Sequence, residues 1–88
     1  MRRIEARFIG RVQGVGFRAT VRDIARAWNI AGWVRNEPDG SVLLVTEGTE
    51  SETDRFITEI ERQLAGYIRS VHRTEGVAVG ERGFGIRR

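Results

Sequence analysis

A short glycine-bearing segment between two regular hydrophobic patterns constrains this chain most. The segment, Gly10-Arg11-Val12-Gln13-Gly14-Val15-Gly16-Phe17-Arg18, follows the alternating residues Ile4-Glu5-Ala6-Arg7-Phe8 and precedes apolar residues at helical spacing. A loop that leaves a strand and opens a helix can bind an anion, because glycines allow close backbone approach and the N–H groups at a helix start carry partial positive charge. Arg18, in the first helical turn, adds a planar guanidinium suited to phosphate or carboxylate. The segment therefore predicts a loop that holds a phosphoryl group.

The spacing of this segment excludes the two commonest phosphate-binding loops. A Walker loop ends in Gly-Lys-Ser/Thr, and this sequence contains no lysine. A dinucleotide-binding fingerprint needs a third glycine three residues after Gly16, where Ala19 stands. Because a Gly-x-Gly pair also occurs in ordinary turns, a purely structural turn is the alternative at this point.

Composition predicts one cytoplasmic domain that acts on anions. The 88 residues, of which 40% are hydrophobic, suffice for a single core, so residues 1–88 are expected to form one domain. The sequence has no cysteine, which excludes disulfides and thiolate metal sites and favours a cytoplasmic location. No apolar run approaches the roughly 20 residues that span a bilayer, so no membrane association is expected. The net charge of +3, with arginine at all fifteen basic positions, favours anionic substrates but is too small to argue for nucleic acid.

Hydrophobic patterning predicts five strands and two helices. The strands are expected over residues 3–11, 32–36, 41–47, 68–78 and a short final stretch containing Phe84 and Ile86. The helices are expected from about Arg18 to Trp28, with Asn29 as a left-handed C-terminal residue, and from the capping pattern Thr49-x-x-Glu52 to Gly66. The β-α-β-β-α-β order is the split βαβ pattern. It predicts a ferredoxin-like α+β two-layer sandwich, with an antiparallel sheet and both helices on one face.

The third predicted strand is apolar on both of its faces. It follows the turn signal Glu37-Pro38-Asp39-Gly40 and should pair with residues 32–36 as a hairpin. Leu43 and Val45 fall on the face opposite Val42 and Leu44. We therefore expect this strand either to be covered on both faces or to contact a partner.

Two motifs in these positions resemble the acylphosphatase family. They are Gly10-x-Val12-Gln13-Gly14-Val15-Gly16-Phe17-Arg18 and Gly32-Trp33-Val34-x-Asn36-x-x-Asp39-Gly40-x-Val42. The chain length, the helix positions and the trailing Gly83-Phe84-x-Ile86 also fit, so the resemblance covers nearly the whole chain. It implies hydrolysis of the carboxyl–phosphate bond of small acyl phosphates to carboxylate and inorganic phosphate, with no metal and no cofactor. We expect a monomer, with neither nucleic acid nor membrane as a partner.

The resemblance also implies roles for individual residues. The phosphate-binding positions would be Gln13, Gly14, Val15, Gly16 and Phe17 through their backbone N–H groups, and Arg18 through its side chain. Asn36 would position the attacking water. This division suits the chemistry, because a carboxylate leaving group with a pKa of about 4 needs no proton at neutral pH. The site can therefore omit a general acid, but it must bind the phosphoryl oxygens and align a water.

Each residue assignment has a structural alternative. Arg18 could face solvent on the helix, and Asn36 could simply begin the turn before Pro38. The remaining aromatic residues and the one histidine are expected to be structural: Phe17 and Trp28 in the core, Trp33 covering the sheet, and His72 on a strand surface.

Two other functions stay open from the sequence. Acylphosphatase-like domains also begin larger carbamoyl-transfer proteins, in which they act on carbamoyl phosphate and are followed by cysteine-rich zinc segments. Split βαβ sheets also bind RNA, but that function needs exposed aromatic residues on the central strands, and residues 41–45 offer none.

Overall fold

A five-stranded sheet carries two helices on one face in the computed structural model, which describes residues 1–88. The strands are β1 (Arg2–Gly10), β2 (Ala31–Asn36), β3 (Val42–Gly48), β4 (Ile68–Val77) and β5 (Phe84–Arg87), and the helices are α1 (Phe17–Ala25) and α2 (Glu50–Gln63). Across the sheet the strand order is β4-β1-β3-β2-β5. The predicted ferredoxin-like α+β fold is confirmed. Neither helix has the length and apolar character needed to cross a membrane.

The final strand makes the sheet mixed, whereas the sequence predicted an antiparallel sheet. The pairs β1–β3, β1–β4 and β2–β3 are antiparallel. Strand β5 instead pairs parallel with β2, and Gly32 lies opposite Phe84 and Arg35 opposite Arg87. The chain does turn back after β4, so β5 runs opposite to β4. Strand β5 lies at the edge of the sheet opposite β4, next to β2, and it runs parallel to β2.

The main core lies between the helices and one face of the sheet. Register places Ile4, Ala6 and Phe8 of β1 on this face, and both helices contribute their predicted apolar stripes. The buried residues of this core are Ile4, Ala6, Phe8, Val12, Phe17, Val21, Ile24, Ala25, Val34, Val42, Leu44, Phe56, Ile57, Ile60 and Leu64. Each large side chain buried in this way contributes roughly 1.5–3 kcal/mol. The packing therefore fixes the start of α1 over the sheet.

The face of the sheet away from the helices is also covered. Trp33, Leu43 and Val45 form a second apolar cluster there. The guanidinium groups of Arg35 and Arg87 lie 4.9 Å and 4.5 Å from the Trp33 ring centroid. Strand β3 is thus buried on both faces by residues of this chain. Of the two outcomes predicted for this strand, coverage on both faces is the one observed. Trp33 covers the sheet, as expected.

A buried carboxylate fixes the segment that leads to β5. Glu47, at the end of β3, accepts hydrogen bonds from the backbone N–H groups of Val79 (2.8 Å), Gly80 (3.0 Å) and Glu81 (2.9 Å). It also accepts one from the guanidinium of Arg3 at 2.9 Å. Although burial opposes ionisation, these donors lower the pKa of Glu47 from 4.5 to about 2. The crossing segment is therefore held down on the sheet.

Helix α1 is shorter than its apolar pattern predicts. It begins at Phe17 and ends at Ala25, not at Trp28. Beyond it, the N–H groups of Ala27 and Trp28 donate to carbonyls three residues back, at 3.1 Å each, so the chain continues as a tighter turn. Trp28 packs against the core and is half-buried. Asn29 is not left-handed, because no residue other than glycine has a positive φ.

Helix α2 begins as predicted and ends early. Thr49 Oγ1 accepts a hydrogen bond from the Glu52 N–H at 3.1 Å, which confirms the predicted N-cap. The Glu52 carboxylate accepts from the Asn29 N–H at 3.3 Å, which ties α2 to the turn before β2. The helix ends at Gln63, and Gly66 has no positive φ, so the predicted glycine cap is wrong.

Candidate active site

The glycine loop between β1 and α1 presents backbone donors that have no acceptor within the protein. Gly14 and Gly16 are left-handed, with φ of 77° and 76°, and a side chain at either position would meet no atom within 4 Å. Glycine is therefore required there by conformation and not by crowding. The N–H groups of Gln13, Gly14, Val15 and Gly16 donate to no protein acceptor. Together with the open first turn of α1, they are unpaired donors of the kind that bind anions at helix starts.

The loop is anchored to the core at both of its ends. Val12 is buried just before it. Phe17 is 2% exposed just after it, and its ring lies 5.2 Å from that of Phe8. The prediction that Phe17 is a core residue is confirmed. The intervening residues 13–16 are exposed, and Val15 among them is an exposed apolar residue.

The Gln13 side chain ties this loop to the hairpin between β2 and β3. Its Nε2 donates to the carbonyl oxygens of Glu37 (2.8 Å) and Ser41 (2.9 Å). Sequence reasoning assigned Gln13 through its backbone alone and missed this contact. No local pattern could reveal it, because the two acceptors lie 24 and 28 residues away along the chain.

Arg18 has no acidic partner in the protein. It lies in the first turn of α1, is partly exposed, and forms neither an ion pair nor a hydrogen bond through its side chain. Arg22, one turn later, by contrast lies 3.9 Å from Asp23. The guanidinium of Arg18 is therefore available to an external anion without loss of an internal ion pair.

Asn36 ends β2 on the face of the sheet that carries the helices. Register pairs it with Val42, which lies opposite Phe8 on that same face. The turn after it is closed by Asp39, whose Oδ1 accepts from the Ser41 N–H (2.9 Å) and Ser41 Oγ (2.6 Å). These two hydrogen bonds lower the pKa of Asp39. The Asn36 amide makes no hydrogen bond, so the alternative that it serves the turn finds no support.

A cavity of about 410 Å³ brings most of the predicted site residues together. Its lining residues are Val12, Gly14, Gly16, Phe17, Arg18, Ala19, Asn36, Ile86 and Arg88. Gln13 and Val15 are not among them, although their backbones lie in the same loop. Ile86 and Arg88 come from the end of the chain. Ile86 belonged to the trailing motif, whereas no sequence signal indicated Arg88.

The charges around this cavity are of one sign. Two arginines line it, and no aspartate, glutamate or histidine does. Nowhere in the chain do three or more His, Cys, Asp or Glu residues cluster in a way that could hold a metal. His72 is exposed on β4, as expected for a strand-surface residue. The cavity can bind an anion and orient a water, but it contains no side chain suited to general acid–base catalysis.

Comparison with known proteins shows the family to which this chain belongs. A family model described as Acylphosphatase matches residues 4–86. The chain belongs to the acylphosphatase family. An acylphosphatase of Methanospirillum hungatei is 46% identical to it, over 100% of this chain and 99% of the relative. Family membership identifies the chain as an enzyme of acyl phosphate hydrolysis.

Solved structures agree with this assignment. The crystal structure of an acylphosphatase from Bacillus subtilis superposes with a TM-score of 0.90 at 31% identity, and the match covers 100% of both chains. HypF of T. kodakarensis superposes with a TM-score of 0.85 at 30% identity. The match covers 99% of the present acylphosphatase chain but 12% of HypF. The same domain thus occurs alone and within a much longer protein.

Proposed function

We propose that this acylphosphatase binds the phosphoryl group of a small acyl phosphate at the glycine loop and Arg18, and that Asn36 positions the attacking water. One observation carries the proposal. Free backbone donors, an arginine without an acidic partner and an amide without a hydrogen bond meet at a single cavity that no acidic side chain lines.

The phosphoryl oxygens would be bound by donors that are already in place. The N–H groups of residues 13–16 directly precede α1 and have no protein acceptor, and Arg18 in its first turn adds a full positive charge. Hydrogen bonds to a charged oxygen are each worth about 1.5–3 kcal/mol. Because Phe17 and Val12 fix the loop on the core, little reorganisation is needed as charge develops on the phosphoryl oxygens.

The Asn36 amide would orient water through both of its groups. Its carbonyl oxygen can accept a hydrogen bond from the water and its NH₂ can donate to one lone pair of the water, which leaves the other lone pair free to attack phosphorus. Attack breaks the bond between phosphorus and the bridging oxygen. The carboxylate leaves unprotonated, and both hydrogens of the water remain on the phosphorus product, which is formed as dihydrogen phosphate. No side-chain acid is required, because the leaving group is a weak base.

Hydrolysis of benzoyl phosphate in EDTA tests these roles. Arg18→Ala should abolish both turnover and binding of inorganic phosphate, because it removes the guanidinium that directly follows the free N–H groups in the chain. Asn36→Ala should lower kcat by about 10²–10³-fold, as removal of one transition-state donor does elsewhere, and weaken phosphate binding far less. Hydrolysis in EDTA also tests the expected independence from metal.

Two exposed residues supply matched controls. Arg82→Ala removes a positive charge from the segment between β4 and β5, and Asn29→Ala removes an amide from the turn before β2. Both should retain wild-type kinetics. Near-normal phosphate affinity in Arg18→Ala would contradict its role. Equal losses of kcat and phosphate affinity in Asn36→Ala would make that residue a phosphate ligand or a structural support.

Carbamoyl phosphate is the substrate of a second candidate function. The superposition on a small part of HypF favours testing whether the domain acts within a larger protein. Faster turnover of carbamoyl phosphate than of benzoyl phosphate would support that candidate. Nucleic-acid binding has less support, because Trp33 is 8% exposed and lies against two arginines, which leaves no aromatic platform on the sheet.

A further inference from the structure

Strand β5 places Arg88 beside Asn36. The parallel pairing of β2 with β5 runs to Arg35 opposite Arg87; the next residue of β2 is Asn36, and the residue that follows the end of β5 is Arg88. Alternate residues of a strand share one face, and neighbouring strands lie about 4.8 Å apart. Arg88 therefore lies on the face of Ile86 and Asn36, toward the helices. In agreement, Asn36, Ile86 and Arg88 all line the same cavity.

Arg88 has a different environment from the arginine that precedes it. Arg87 points to the other face of the sheet, where its guanidinium lies 4.5 Å from the Trp33 ring centroid and 3.9 Å from Glu81. Arg88 has no ion pair with any acidic residue. It is exposed, so its long side chain can turn toward a ligand in the cavity without breaking an internal contact. Two adjacent arginines thus offer the same charge to opposite faces.

We propose that Arg88 is a second cationic ligand of the phosphoryl group. This inference rests on the proposed function. A phosphoryl group bound at the loop carries close to two negative charges near neutral pH, of which Arg18 alone can balance one. Arg18 approaches from α1 and Arg88 from β5, on the side of Asn36. A guanidinium there can donate two hydrogen bonds to phosphoryl oxygens that the loop does not reach.

Binding of inorganic phosphate, measured by calorimetry, tests the proposal directly. Arg88→Gln should raise the Kd for phosphate about tenfold, whereas Arg87→Gln should change it less than about twofold. Both variants remove one positive charge from neighbouring residues, so the long-range field changes equally and only the local contact differs. Arg88→Lys keeps the charge without the planar fork and should fall between wild type and Arg88→Gln.

Steady-state kinetics with benzoyl phosphate give a second readout. Loss of a contact made equally with bound substrate and transition state raises KM and leaves kcat nearly unchanged, which is the pattern expected for Arg88→Gln. A Kd for phosphate within twofold of wild type in that variant would overturn the proposal. So would equal losses in Arg88→Gln and Arg87→Gln, which would reflect net charge alone.

The wild type and Arg18→Ala separate this inference from the proposed function. If the wild type binds phosphate, Arg18→Ala does not, and Arg88→Gln matches wild type, the proposed function stands and only the role of Arg88 fails. If the wild type neither binds phosphate nor hydrolyses benzoyl phosphate, the proposed function fails and the role of Arg88 fails with it.

Discussion

Replacement of Glu47 by glutamine should destabilise the protein far more than such a small change suggests. Oε1 of Glu47 accepts from Gly80 and Glu81, and Oε2 accepts from Val79 and Arg3. Both oxygens accept hydrogen bonds. A glutamine amide in either orientation would therefore place its NH₂, which is a donor, against two other N–H donors. The side chain is 3% exposed, so water cannot take the place of the lost acceptor.

Two independent arguments give a similar magnitude for Glu47→Gln. Removal of one partner from a buried ion pair costs about 3–5 kcal/mol. The donors lower the pKa of Glu47 from 4.5 to about 2, and one pKa unit corresponds to about 1.4 kcal/mol, so the carboxylate contributes about 3 kcal/mol. In a domain of this size, 1 kcal/mol shifts Tm by about 4–8 °C. We therefore expect Tm to fall by about 10–25 °C.

Thermal unfolding followed by circular dichroism at pH 7 measures this loss. Glu75→Gln is the matched control, since that side chain is 65% exposed and lies 4.0 Å from Arg2. Glu75→Gln should change the free energy of unfolding by less than about 0.5 kcal/mol, as is usual for exposed ion pairs. If Glu47→Gln were as stable as Glu75→Gln, the hydrogen bonds of Glu47 would not hold the segment between β4 and β5 on the sheet.

The pH dependence gives a second test of the same interaction. The pKa of Glu47 is lower in the folded than in the unfolded protein, so its contribution is fully present above about pH 4.5 and is lost as the pH falls through about 2. The difference in unfolding free energy between wild type and Glu47→Gln should be constant above pH 5 and shrink by about 3 kcal/mol toward pH 2. A difference that persists unchanged at pH 2 would refute the reasoning.

Two further substitutions test the glycine loop. Gln13→Glu directs a carboxylate at the carbonyl oxygens of Glu37 and Ser41, so kcat/KM should fall at least about tenfold, while Gln63→Glu, on the exposed surface of α2, leaves it unchanged. A fully active Gln13→Glu would exclude this contact from catalysis. Gly16→Ala forces a side chain into a left-handed backbone with φ of 76° and should cost about 1–2 kcal/mol in thermal unfolding. Gly66→Ala, with similar free space and no positive φ, should cost nothing, and equal effects would contradict the conformational argument.

The parts of the fold and site that the sequence predicts are those encoded by local patterns. Alternation around Ile4 and Phe8, the helical stripe of Val21 and Ile24, and the Thr49 cap each depend on residues a few positions apart. The two motifs likewise place Arg18 in the first turn of a helix and Asn36 at the end of a strand, and the order of these elements was predicted. The fold then brings both residues to one cavity.

What the sequence does not predict depends on contacts between distant segments. A four-residue strand such as β5 has too little alternation to specify its neighbour, so its parallel pairing with β2 could not be predicted. Glu47 appears in the sequence only as the polar end of an apolar strand. Its three backbone donors lie 32–34 residues further along the chain, in a segment with no regular pattern. The end of α1 was also not predicted, because the apolar stripe continues to Trp28 while the chain after Ala25 forms a tighter turn with hydrogen bonds to carbonyls three residues back.

The cavity is formed where three separate segments meet, namely residues 12–19, Asn36 and residues 86–88, and each is held by a polar contact outside the cavity. Gln13 fixes the glycine loop to the turn that follows Asn36, and Glu47 fixes the segment that delivers Ile86 and Arg88. The groups proposed to bind the ligand, in contrast, have no partners within the protein. This separation has a chemical reason: a donor already bonded to the protein would have to break that bond to bind phosphate, whereas a free but firmly positioned donor does not. The structural hydrogen bonds therefore lie beside the site and leave the donors within it available to substrate.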